Sequence, residues 1–249
     1  MQSPAAPTLP AGWCDVVGRG RMGEAMAWAL RNAGVQVRGP SGRGTTGDGA
    51  AIVLLCVPDR EIGAAAASLA PGAIVGHVSA SAELALLAPH ECFVLHPLLS
   101  VVGAGAQFTG ATAAIDGSTP RARDSAAALA RVLGMRPIVV PAAQRALYHA
   151  AASAASNFLV TVEGLAETLA ARAGLDREAL VPLVRATVEN WTTLGAVAAL
   201  TGPIARGDDV TAARQRAAVM SAAPDQVALW DALATATRAL ATRPADARA

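Results

Sequence analysis

Residues 15–26 read DVVGRGRMGEAM: a short apolar run, glycines at 18, 20 and 23, and then a helical pattern. At this spacing between strand and helix, the first glycine permits a tight turn and the second lets the backbone approach a phosphate. The third lets the helix pack close to its strand. The unpaired N–H groups of the helix start then face an anion. Residues 14–17 read as the strand, 24–32 as the helix, Gly34 as its stop and 35–37 as the next strand. A glycine-rich turn of purely structural use has the same letters, so it is the α/β context that makes the pyrophosphate of a dinucleotide the expected occupant. Gly18, Arg19, Gly20, Arg21, Met22 and Gly23 form the candidate loop, with Arg19 and Arg21 either assisting the phosphates or facing water.

Outward from the loop, strand and helix patterns alternate to about residue 141. After the strand at Val35 comes GPSGRGTTGDG, 39–49, where the adenosine ribose is expected. Selectivity for the unphosphorylated cofactor usually places an acid here. This chain offers Ser41, Arg43, Thr45 and Thr46, with no acid before Asp48. Arginine and hydroxyls suit a 2′-phosphate, so NADP(H) is favoured over NAD(H). AIVLLCV, 51–57, has the continuous apolar character of a parallel strand buried on both faces, and it delivers Val57 and Pro58 to the carboxyl edge where such sheets bind ligands. A strand at 73–78 delivers Ser79 and Ser81 to that edge, and one at 92–95 delivers His96 and Pro97. Strands at 112–115 and 137–140 flank a helix with Ser118 or Thr119 as cap, Pro120 in its first turn and Gly134 as its stop.

Beyond Pro141 the pattern is helical only. Residues 145–173 form one long periodic segment with Leu147, Ala151, Phe158, Val162, Leu165 and Leu169 on one face. Asp176 caps a further helix running to about Gly195, with Pro182 as a site for a kink. LTGPIARGDD, 200–209, reads as a loop, and helices at about 210–220 and 225–241 close the chain. The organisation expected is therefore a leader at 1–11, an α/β domain with a parallel sheet at 12–141, and an all-α substrate and dimerisation domain at 142–249. Alanine-rich helical faces favour burial against a second copy, so a homodimer through the helical domain is expected.

Composition limits the function classes. Twenty basic residues against 19 acidic ones leave a net charge of +1, which points away from nucleic acid and anionic membranes. All twenty basic residues are arginine, so a lysine Schiff base or an ammonium acid is excluded. Cys14, Cys56 and Cys92 lie in apolar runs without metal-ligand spacing, as in a reduced cytoplasmic protein with no metal site. The first residues have no basic and apolar signal pattern, and no apolar run is long enough to span a membrane.

Six stretches together resemble a family: GRGRMG at 18–23, CVPD at 56–59, HVSAS at 77–81, HPLLS at 96–100, YHAAASAASN at 148–157 and LTGPIARGD at 200–208. They resemble the Rossmann-like proteins with a C-terminal domain of unknown function numbered 2520, similar to the 6-phosphogluconate dehydrogenase and pyrroline-carboxylate reductase group. The resemblance implies an NAD(P)-dependent oxidoreductase with its active site between two domains, and a dimer. Some similar proteins reduce 2-dehydropantoate, which makes a small 2-oxo acid the substrate lead. Ala80 departs from the glycine that usually follows the serine, and the lysine that larger relatives use as proton donor has no counterpart here.

Hydride transfer to a C=O or C=N carbon needs a proton donor at the heteroatom, and histidine titrates in the useful range. His149, with Asn157 two turns later, is the first candidate, and a structural histidine at the domain joint is its alternative. His96 is the second candidate, against an ordinary strand-ending His-Pro turn. Tyr148 is a further donor. Ser79 binds nicotinamide or substrate, or else caps a helix from Ala82. Ser81 and Arg206 are candidate substrate contacts, Arg206 either holding a carboxylate or bonding loop carbonyls, and Arg145 is a weaker carboxylate candidate. His77 reads as buried structure, His90 as an exposed loop residue, and Glu163 and Glu167 as a solvated or dimer-facing edge. Two further readings remain: a non-catalytic dinucleotide-binding sensor, and an oxidoreductase using the deazaflavin F420.

Overall fold

A computed structural model describes residues 9–244. Most of the leader expected over 1–11 therefore lies outside the described residues. Seven strands form one sheet in the order β2-β1-β3-β4-β5-β6-β7: β1 Cys14–Val17, β2 Val37–Ser41, β3 Ile52–Leu55, β4 Ile74–His77, β5 Cys92–Leu98, β6 Thr112–Gly117 and β7 Arg136–Val139. The first five are parallel, with the row Val17, Leu55, His77, Val94 running across the carboxyl edge. The chain leaves β1 toward β2 on one side and comes back to β3 on the other, so the crevice of a doubly wound sheet opens beyond β1 and β3.

The central strands are buried on both faces, as their unbroken apolar runs require. Val16, Ile52 and Leu54 pack into one cluster with Met26 and Leu30 of α1 (Arg21–Asn32) and Leu129 of α3 (Pro120–Val132). Val17, Val53 and Leu55 pack into the other with Ile62 and Ala66 of α2 (Ile62–Ala67). Thr119 caps α3 by accepting from the Ala122 N–H at 3.1 Å, and Gly134 follows its end at φ +72°, both as expected.

Three expectations are corrected here. The sheet is not wholly parallel: β6 pairs with β5 antiparallel, and β7 follows β6. The β5–β6 link, 99–111, contains no helix, and a parallel return needs a crossover of that kind. The second strand lies later than 35–37 and passes through Gly39 and Pro40, letters that suggest a turn. It is an edge strand, where proline is tolerated, and Arg31 of α1 donates to the Gly39 carbonyl. The single helix expected at 145–173 is interrupted. Helix α4 (Arg145–Ser153) passes through a π-helical turn, Ala154–Phe158, into α5 (Leu159–Arg172). Leu147 and Phe158 of the supposed apolar face are largely exposed.

The chain divides into two compact units, Met1–Ser156 and Asn157–Ala249. The second is helical: α5, α6 (Arg177–Ala199), α7 (Asp209–Ala222) and α8 (Val227–Ala241). Asp176 caps α6 through the Ala179 N–H at 3.0 Å. The break in α6 falls at Gly195, φ +77°, and the helix resumes to Ala199. Neither α6 nor α8 contains a buried residue. Among the described residues no helix is long and apolar enough to cross a membrane.

Candidate functional site

The glycine turn has the geometry its letters require. Gly18 sits at φ +121°, and a Cβ there would strike the Cys56 carbonyl; a Cβ on Gly23 would strike the Gly18 carbonyl. Nothing lies within 4 Å of the Cβ position at Gly20, which N-caps α1 with no side chain bonded to the first N–H groups. The turn is thus closed where strand and helix meet and open where an anion would arrive.

A cleft of about 510 Å³ begins there. Gly18, Arg19 and Gly20 form one wall, Ser41 to Thr45 a second, and Val57, Pro58 and Glu61 with Ala64 and Ala65 of α2 and Ser68 at its end the third. Of the candidate cofactor residues, Gly18, Arg19, Gly20, Ser41, Arg43, Val57 and Pro58 line it. Arg21, Met22, Gly23 and Ser79 do not. Arg19 lies over Gly42, with 3.6 Å from the guanidinium carbon to the Cβ position. Arg43, its side chain 90% exposed, pairs with Glu61 at 3.2 Å. Glu61 is a cleft acid that sequence reasoning missed, and its only signal is its place just after Pro58 at the carboxyl edge. Missed too is Asp15, buried inside β1, which accepts two bonds of 2.5 Å from Arg38 of β2, whose guanidinium also stacks on Trp13 at 4.3 Å. That pair staples β1 to β2 away from the cleft mouth.

Farther along the same edge stands a second group of side chains. Asp59 accepts from the Ser79 and Ser81 hydroxyls at 2.7 Å each, and the Ser79 oxygen accepts from the Ser81 and Ala82 N–H groups. Ser79 is buried within this turn, so its hydroxyl is engaged in holding the β3 and β4 loops together. His77 is fully buried, and its Nδ1 accepts from the Ser79 N–H at 3.2 Å, which leaves its Nε2 without a partner among the described residues. Burial, helped by the Arg145 cation and opposed by Asp59, pulls His77 down to about 4.

His96 lies inside β5, not beyond it, two residues past the Val94 that pairs with His77. Its Nδ1 is 2.9 Å from the Tyr148 hydroxyl, with the rings perpendicular at 5.6 Å, and the His149 ring is 6.4 Å away. Burial, then His149, pulls His96 down to about 4 against the pull of Asp59. Burial also pushes the Tyr148 phenol up. Arg145 is buried and held by Asp116 at 2.5 Å and by the Ala82 carbonyl at 3.2 Å, so both ends of its guanidinium are committed within the fold. His90 is half-buried against the Ala66 carbonyl at 3.1 Å rather than free in a loop.

Asn157 and Arg206 belong to the second unit and both are exposed. Asn157 sits in the π-helical turn, and the Arg206 guanidinium makes no hydrogen bond among the described residues. No group of three His, Cys, Asp or Glu suited to a metal occurs among the described residues.

A doubly wound sheet with a glycine turn and cleft at its β1/β3 switch defines a Rossmann-type protein carrying an all-α second unit. The chain belongs to the family described as a domain of unknown function, DUF2520, whose model matches residues 111–237. Its fold is that of protein TM1727 from Thermotoga maritima, at 21% identity and TM-score 0.80 over 92% of this chain and 100% of that one. It is also that of a Bacteroides fragilis protein described as an NADP oxidoreductase, at 18% identity and TM-score 0.79 over 92% and 98%. A reductive aminase from Aspergillus terreus, solved with NADPH and ethyl levulinate, follows at 16% identity and TM-score 0.68 over 92% and 95%. No curated protein matches the sequence.

Proposed function

We propose that the protein is an NADP(H)-dependent reductase of a small 2-oxo acid, 2-dehydropantoate being the first to try, or of the corresponding imine. The observation that carries this reading is the cleft at the β1/β3 switch, open at Gly20 and bounded by Arg19, Ser41 and Arg43. The residues suit the group: unpaired N–H groups at the start of α1 for a pyrophosphate, and a hydroxyl and a guanidinium at the end of β2 for a 2′-phosphate. Reduced nicotinamide supplies the hydride when bound. The chain supplies orientation and the proton, and the His96, Tyr148 and His149 group stands on the carboxyl edge that carries the glycine turn. The fold relatives described by NADP and NADPH support the choice of cofactor.

A homodimer through the helical unit belongs to the same proposal. Its support is that α6 and α8 bury none of their residues, while Leu183, Trp191 and Leu194 are more than half exposed.

The test is NADPH oxidation by purified protein over a panel of 2-oxo acids, with and without ammonia or small amines. Turnover on one member supports the reductase. Tight NADPH binding with no turnover on any member would replace it by a dinucleotide-binding sensor.

A further inference from the structure

We propose that Tyr148, rather than a histidine, delivers the proton in the reduction, its oxygen held by His96; the inference rests on the reductase reading above. His77 is fully buried with its Nδ1 engaged, so it cannot reach a substrate. His149 is exposed and has no hydrogen bond to fix its ring among the described residues. Tyr148 alone combines a partly exposed side chain with a fixed neighbour, its oxygen 2.9 Å from His96 on β5. The groups facing the pair are His149 on the same helix, Asp59 after β3, His77 on the neighbouring β4 and Arg145 one turn earlier. Arg145, Tyr148 and His96 share the walls of a cavity of about 10 Å³, room for a single water. Because Arg145 is matched by Asp116, it is a fixed wall and not a base. His96, pulled down by burial, is uncharged near neutral pH and can present Nδ1–H to the tyrosine oxygen.

In the step so assigned, the substrate carbon gains the hydride that the reduced dinucleotide loses, and the C=O or C=N π pair moves onto the heteroatom. The Tyr148 O–H bond breaks as its proton joins that atom. The phenolate left behind accepts the hydrogen bond from His96 Nδ1–H, and solvent returns the proton to Tyr148.

Tyr148 is the chain's one tyrosine, so a phenolate absorbance titration of the protein alone reports it directly. If His96 donates to the phenolate, the midpoint rises in His96→Phe and returns toward wild type in His96→Gln, whose amide N–H can donate. A midpoint that falls in His96→Phe, or does not move, overturns the proposal, since His96 would then hold the phenol proton or hold nothing. Tyr148→Phe should bind NADPH as wild type does while kcat falls about 100-fold or more at unchanged KM; a full kcat in that variant would overturn the proposal even if His96 variants failed to fold. Wild-type protein that binds neither NADPH nor NADH would overturn the reductase reading itself, and the donor role with it, whatever the titration gives.

Discussion

Replacing Gly20 and Gly23 one at a time by alanine separates the two demands on the glycine turn. At Gly20 the backbone is at φ −81°, ψ 176°, allowed for any residue, and no atom lies within 4 Å of the Cβ position. Gly20→Ala therefore leaves the free protein within about 1 kcal/mol of wild type. Its methyl stands where a phosphate would approach the start of α1. Weakening one or two charge-assisted N–H bonds there, at about 1.5–3 kcal/mol each, loosens NADPH by about 3 kcal/mol, roughly 100-fold in Kd. At Gly23 the added Cβ meets the Gly18 carbonyl, a backbone atom that cannot turn aside, with Cys56 Cβ at 3.4 Å behind it. Helix α1 must shift, at about 1–3 kcal/mol, which lowers Tm by about 2–12 °C in a domain of this size. Thermal melts without nucleotide and fluorescence titrations with NADPH read the two effects separately. Gly20→Ala should keep its Tm and lose affinity, and Gly23→Ala should lose both. A Gly20→Ala protein that binds NADPH as wild type does would refute the placement of the pyrophosphate.

Arg43→Ala should weaken NADPH about tenfold and leave NADH within about twofold, because the guanidinium answers only the 2′-phosphate; Glu61→Gln, which releases Arg43 from its ion pair, should move NADPH affinity the other way, both read by titration. His77 titrates near 4 when folded against an ordinary 6.5, so the unfolded chain takes up the proton first and stability falls as pH drops from about 6.5 toward 4. Between pH 7 and 4.5 this residue accounts for a loss of about 2 kcal/mol, read as urea midpoints at the two pH values, and His77→Gln should remove that part while leaving the similar part due to His96. Light scattering should return twice the 25.0 kDa chain mass for wild type, and Leu183→Glu together with Trp191→Glu should return the single chain; a monomeric wild type would remove the homodimer.

The turn at Gly18, Gly20 and Gly23, the buried strands and the capped α3 were legible because each depends on local chemistry: a backbone that excludes Cβ, an unbroken apolar run, a threonine before a proline. What escaped depends on pairing at a distance. The antiparallel β6 is decided by the lack of a crossover helix after β5, and no residue of β6 encodes it. The π-helical turn at 154–158 falls in AASNF, whose letters suit an α-helix equally well. Glu61 beside Arg43, and Tyr148 against His96 across 52 positions, become partners only when the sheet edge brings them together. Ser79 is a mixed case: no helix begins at Ala82, the next element being a short 3-10 turn at Leu84–Leu87, but the serine hydroxyl does accept from the Ser81 and Ala82 N–H groups, a local motif.

The most direct test of the central claim is a fluorescence titration of the purified protein with NADPH and with NADH. Both should bind saturably at the Gly18–Gly23 turn, with NADPH tighter by about tenfold through Arg43. Binding of neither nucleotide would contradict it.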